Sequence, residues 1–179
     1  TVMVYGNVDE VELVLNGKTI RRQTADKGPD SDYIPVPNGG NGKNLHFPPF
    51  TFYGVPKERG VLKAVGYHQG KKVAEYTVKT PGVPERLDIT YFESGKPATK
   101  NDLLIVYVRM LDKQGVLCPV NGIPVELSVQ GGEIVGPTSY PLEAGVASFL
   151  VRTGEISKIN INATGKGFST RKSLKVGKE

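Results

Sequence analysis

Apolar side chains recur at every second position through most of this chain, and that period limits what it can fold into. Val11, Leu13 and Leu15 are spaced by two, as are Leu87, Ile89 and Tyr91. Leu104, Val106, Val108 and Met110 share one side, and so do Val125, Leu127 and Val129, and Ile159, Ile161 and Ala163. A period of two puts alternate side chains on one face of a strand. No window of eleven or more residues carries a 3.6-residue apolar period, so helices are not expected. Residues 61–67 and 72–79, joined through His68-Gln69-Gly70, read as further strands, as do 145–152 and 171–176. Asn16-Gly17 is a strong two-residue hairpin signal, and Asp112-Lys113-Gln114-Gly115 marks another turn. The 22 glycines and 13 prolines, about a fifth of the chain, supply many turns without reaching a disordered composition. The expectation is an all-β protein of two tandem immunoglobulin-like antiparallel β-sandwiches.

A length of 179 residues accommodates two modules of that size. Thr80-Pro81-Gly82-Val83-Pro84 is the natural joint, because its prolines donate no ladder hydrogen bonds and push their predecessors towards extended geometry. The predicted organisation is a sandwich over 1–80, a short stiff linker over 81–84 and a second sandwich over 85–179. Val11, Leu13, Leu15, Leu62, Ala64 and Val65 are expected in the first core. Val106, Val108, Leu127, Val129, Ile159 and Ile161 are expected in the second. Ala64 and Val65 are adjacent, so both face inward only near a bulge or where both sheet faces are covered. The polar stretch 23–44, with Pro29, Pro35, Pro37 and Asn38-Gly39-Gly40-Asn41-Gly42, is too long for a plain hairpin loop.

The net charge of +5 divides into +3 before Pro84 (11 basic, 8 acidic residues) and +2 after it (12 basic, 10 acidic). So even a spread argues against a nucleic-acid partner, which calls for a concentrated basic face. No apolar run approaches the ~20 residues of a membrane helix, and no membrane partner is expected. No signal-peptide pattern occurs, and residues 1–5 read as the middle of a strand, as in an excised fragment. The single cysteine, Cys118, excludes an internal disulfide and a multi-thiolate zinc site.

Catalytic patterns are scarce. His46 and His68 are the two histidines, and no Gly-x-Ser-x-Gly elbow accompanies them. Gly42-Lys43 ends a glycine run, but Asn44 stands where a phosphate loop needs Ser or Thr. Asp26, Asp30 and Asp32 are close in sequence, yet their spacing fits no EF-hand and Lys27 lies among them, so a solvated loop is preferred over a calcium site. Neither a metal nor a cofactor is expected. Asn162-Ala163-Thr164 is formally a glycosylation sequon within a predicted strand. The most distinctive stretch is Leu45-His46-Phe47-Pro48-Pro49-Phe50-Thr51-Phe52-Tyr53. Phe50 and Phe52 share a strand face and read as core, whereas His46, Phe47 and Tyr53 flank them as candidates for contacting carbohydrate or a neighbouring domain.

The run Asn7-Val8-Asp9-Glu10-Val11-Glu12-Leu13-Val14-Leu15-Asn16-Gly17-Lys18 resembles a hairpin from the C-terminal region of bacterial glycoside hydrolase family 2 β-galactosidases. Residues 60–73, from Gly60-Val61-Leu62 to Gly70-Lys71-Lys72-Val73, resemble its second motif, and Thr80 to Pro84 the joint that follows. Pro48-Pro49-Phe50-Thr51-Phe52 is similar to a longer-loop subset common in gut Bacteroidetes enzymes. Asn101-Asp102-Leu103, Asp112-Lys113-Gln114-Gly115, residues 131–136 and Glu143-Ala144-Gly145-Val146-Ala147 resemble invasin/intimin-type bacterial Ig-like modules. Arg21-Arg22-Gln23 departs from the usual, more apolar return strand. The resemblance implies a non-catalytic accessory C-terminal fragment of a periplasmic or extracellular β-galactosidase-like enzyme. In that family the two catalytic glutamates lie in a TIM barrel, and this chain shows no carboxylate pair of that kind. The implied role is to brace the catalytic core, or to shape its rim or oligomer contacts. Implied partners are the catalytic and other β-sandwich domains of the parent. A carbohydrate-binding module that holds polysaccharide through residues 46–53, and an adhesin-like spacer, are the alternatives.

Overall fold

The computed structural model describes residues 1–26, 48–92 and 97–177. Among them there is no helix, and every extended pairing between named strands is antiparallel. The chain forms two compact units, Thr1–Thr80 and Pro81–Glu179.

The first unit contains β1 (Val2–Val4), β2 (Glu10–Leu15), β3 (Lys18–Thr24), β4 (Phe50–Phe52), β5 (Val61–His68) and β6 (Lys71–Lys79). A four-stranded sheet runs in the order β3-β2-β5-β6, and a two-stranded sheet pairs β1 with β4. Asn16 (φ 49°) and Gly17 (φ 79°) both take left-handed geometry, which is the turn that matches the twist of a two-residue hairpin. Asn16 also fastens this turn to β5, where its Oδ1 accepts the Val61 N–H at 2.8 Å and its Nδ2 donates to the Arg59 carbonyl at 3.1 Å. Val11, Leu13, Phe50 and Phe52 form the buried centre, with Val2, Val4, Val8, Ile20, Leu62 and Ala64 packed around it.

Leu62 and Ala64 therefore lie on the core face but are only half-buried, at the margin of the core cluster. Val65 is buried on the opposite face, because the register sets it beside Glu12 and Glu75. Charged side chains on that outer face, rather than a second apolar layer, surround it. The return strand β3 continues to Thr24 despite its two arginines. A bulge between Leu13 and Val14 admits Ile20 as an extra residue, and Ile20 packs against the core.

The second unit contains β7 (Pro84–Tyr91), β8 (Leu103–Asp112), β9 (Pro124–Gln130), β10 (Gly132–Ile134), β11 (Ser139–Pro141), β12 (Val146–Thr153), β13 (Lys158–Gly165) and β14 (Phe168–Lys175). Its sheets run β10-β12-β8-β7 and β11-β9-β13-β14. Val106, Val108, Met110, Phe149 and Val151 of one sheet share a core with Val125, Leu127, Ile159, Ile161 and Ala163 of the other, and Val129 packs half-buried against it. Pro84 opens β7, and the Gly82 N–H donates to Asp112 Oδ2 at 2.7 Å. Residues 81–84 are thus part of the second unit's own bonding.

Candidate functional site

The aromatic stretch divides at the strand β4. Phe50 and Phe52 are fully buried, opposite Val4 and Val2 respectively, as expected of residues two apart on an inward face. Thr51 points to the other side and is buried there by two polar side chains. Its hydroxyl donates to Asp26 Oδ2 at 2.5 Å, its N–H donates to Asp26 Oδ1 at 3.1 Å, and its carbonyl accepts from Gln23 Nε2 at 2.9 Å. Asp26 thus clamps β4 to the end of β3. Tyr53 is exposed (41%). His46 and Phe47 lie outside the described residues, as do Asp30, Asp32 and the glycine run before Lys43. Among the described residues, no group of three or more His, Cys, Asp or Glu side chains converges as a metal site would require.

Cross-strand register builds a polar network on the outer face of the first unit, which the sequence reading missed. Glu12, Arg22 and Val65 are neighbours across β2, β3 and β5. Glu12 accepts from Thr19 Oγ1 at 2.6 Å and from Tyr67 OH at 2.7 Å. The Arg22 guanidinium lies 3.8 Å from the centre of the Tyr67 ring and pairs with Glu10 at 2.6 Å. The Thr19 hydroxyl, followed by that of Tyr67, holds Glu12 below its ordinary carboxylate value. The same hydrogen bond to Glu12 is the main cause raising the Tyr67 phenol. The network therefore keeps Glu12 ionised and Tyr67 neutral. Nearby, Asp9 accepts the Gln69 N–H at 2.7 Å and touches His68 Nδ1 at 3.1 Å, which caps the β5–β6 turn.

In the second unit Asp112 is buried and surrounded by backbone donors. Its Oδ2 accepts Gly82 N–H, and its Oδ1 accepts Gln114 N–H and Val116 N–H, both at 2.8 Å. These bonds, Gly82 first, lower its pKa. Cys118 is buried close by, and burial followed by the Asp112 charge pushes its thiol up, away from the reactive thiolate. A general acid at a glycosidic bond must retain a proton near neutral pH. Asp9, Glu12, Glu75, Asp112 and Glu155 are all shifted the other way.

The sequence profile of a domain of unknown function (DUF4982) matches residues 1–74. The structure of a β-glucuronidase from glycoside hydrolase family 2 superposes on 98% of this chain with a TM-score of 0.74 at 23% identity, using 18% of its own length. A β-galactosidase of Rhizobium radiobacter is 30% identical over 129 residues, which cover 71% of this chain and 92% of that protein. This chain belongs to the C-terminal β-sandwich region of the glycoside hydrolase family 2 β-galactosidases. Within that family, a β-galactosidase of Thermoanaerobacter pseudethanolicus is 29% identical over 164 residues, or 85% of this chain. The chain spans about a fifth of that enzyme's length (20%). The hairpin and the strand pair that carried the family resemblance, residues 7–18 and 60–73, both lie in the matched part and form the β2–β3 and β5–β6 hairpins.

Proposed function

We propose that this chain is a non-catalytic accessory part of a β-galactosidase-like glycoside hydrolase, bracing the catalytic part of a longer polypeptide and shaping its rim or oligomer contacts. The observation that carries this reading is one of proportion. Nearly all of the chain's fold, 98%, recurs within 18% of the length of a related enzyme. The downward-shifted carboxylates support it, since none of the five is poised to protonate a leaving group. Each unit is a sandwich packed around a cluster of apolar side chains, which suits a rigid brace more than a reacting site. The partners in this reading are the catalytic and remaining β-sandwich domains, and the compartment is periplasmic or extracellular. The test is turnover of a chromogenic β-galactoside by the purified chain. No turnover is expected. Activity that disappears on a single Asp or Glu substitution, with host enzyme excluded, would overturn the proposal.

The exposure of Tyr53 beside the buried Phe50 and Phe52 favours a second reading, a carbohydrate-binding surface that includes His46, Phe47 and Tyr53. Affinity electrophoresis in galactan and other plant polysaccharides separates the two. Retardation of the wild-type chain that is lost in Tyr53→Ala and Phe47→Ala would establish binding, and unretarded migration would leave the brace alone.

A further inference from the structure

The first unit's two sheets are unequal, and the difference leaves a place for a strand. The face of the four-stranded sheet that carries Val11 and Leu13 continues across β5 and β6. The register sets Leu62 beside Val78, Ala64 beside Tyr76 and Gly66 beside Ala74. In a closed sandwich all of these residues would be core. Instead Tyr76 is 73% exposed and Val78 52%. The two-stranded sheet sits over the other half, with β4 held against β3 through the bonds of Thr51 to Gln23 and Asp26. Val2, Val4, Leu62, Ala64, Tyr76 and Val78 line the groove that remains, about 350 Å³ in volume.

The backbone beside this groove is also incomplete. Residues opposite one another in an antiparallel ladder alternate between bonded and non-bonded pairs. Thr51 gives its N–H to Asp26 and its carbonyl to Gln23, so Met3 and Thr51, which lie opposite, are a non-bonded pair. The N–H and C=O of Met3 therefore point to the far edge of β1. Among the described residues, no strand other than β4 pairs with β1.

We infer that an extended apolar segment from elsewhere in the longer enzyme polypeptide lies along this edge as a third strand, bonding Met3 and covering Tyr76 and Val78. The inference rests on the accessory role proposed above. One observation selects this occupant over a second copy of the chain. The Thermoanaerobacter β-galactosidase and the family 2 β-glucuronidase hold about four-fifths of their length outside the matched part, given the 20% and 18% coverage. A segment with apolar residues at alternate positions fits the wall that Tyr76 and Val78 present.

Residue-resolved hydrogen exchange tests this by comparing the 179-residue chain with the full-length enzyme. The Met3 amide is expected to exchange at least 100-fold more slowly in the full-length enzyme. A Tyr76→Lys, Val78→Lys double variant should melt like wild type as the isolated chain, but should lose the Met3 protection in the full-length enzyme. Equal exchange of Met3 in the two wild-type proteins would overturn the inference. So would protection in the isolated chain: if it rises with concentration, the occupant is a second copy, and if it persists on dilution, the chain fills its own groove. Galactoside turnover by the isolated chain would strike the accessory reading, whereas equal exchange in an inactive chain would strike the strand assignment alone.

Discussion

Replacing Phe50 by alanine removes the largest class of side chain from the smaller of the two cores. Phe50 has no exposed surface and lies beside Phe52, Val11 and Leu13. An aromatic side chain of this kind buries about 150–250 Å², which at about 25 cal/mol per Å² corresponds to roughly 4–6 kcal/mol before allowing for a compact unfolded state. Measured Phe→Ala losses in cores run at about 3–5 kcal/mol. A domain of some 80 residues has only about 4–12 kcal/mol in total, so the substitution removes a large share of it. At about 4–8 °C per kcal/mol for a domain of this size, the first unit should melt at least about 12 °C lower. Thermal melts followed by far-UV circular dichroism, with exchange of β8 and β12 amides as an internal reference, measure this directly. The Val106 and Phe149 core of the second unit should keep its protection. A Phe50→Ala chain that melts like wild type would refute the assignment of this residue to the core. Tyr53→Ala is the matched control, and its partial exposure (41%) predicts a smaller loss than Phe50→Ala.

Three further outcomes follow from the geometry. Asp112 is lowered in the folded state, so its contribution is complete above its ordinary value of 3.8 and disappears as pH falls from there towards the lowered one; urea midpoints of Asp112→Asn should therefore lie below wild type at neutral pH and converge on it in acid. Gly145→Ala should destabilise the second unit by about 1–3 kcal/mol from backbone strain alone, and by more in total, because Gly145 has φ 87° and a Cβ would stand 2.1 Å from the Cys118 carbonyl oxygen; a melt within 2 °C of wild type would be inconsistent with this. Cys118, buried and with its thiol pKa raised, should react with a disulfide reagent only as fast as the second unit opens, and rapid labelling of the native chain would contradict its burial.

The longer strands were legible because burial on one face enforces a period of two. Leu104 to Met110 and Ile159 to Ala163 show this directly, each alternating between core and exterior. The three-residue strands β10 and β11 are too short to carry a period, and only their partners reveal them, whereas the equally short β1 and β4 are legible in residues 1–5 and in the Phe50 and Phe52 spacing. Val65 illustrates a different limit, because burial beneath charged stems leaves no apolar pattern in the sequence. Arg21-Arg22-Gln23 looked too polar for a return strand, yet Arg22 is held by Glu10 and the Tyr67 ring, and Gln23 by the Thr51 carbonyl. Those partners lie 12 to 45 positions away, where no local pattern reports them. For the same reason Asp26 was read as one member of a solvated acidic loop, when its carboxylate in fact receives β4. Of the aromatic candidates, Tyr53 is exposed at the end of β4, and His46 and Phe47 lie outside the described residues.

The bonds at Asp112 also bear on how this protein can drift. Every donor named there is a main-chain N–H, from Gly82, Gln114 and Val116, so the side chains of the residues it gathers take no part in holding it. Asparagine would turn an amide donor towards other donors, glutamate would reach one methylene too far, and alanine would leave buried N–H groups without acceptors. The turn can therefore vary freely at Lys113 and Gln114, while the acid that fixes it has no single-step substitute. An isolated invariant acid within a variable turn is commonly taken as a mark of chemistry. Here the same signature would arise among descendants of this chain from hydrogen-bond accounting alone.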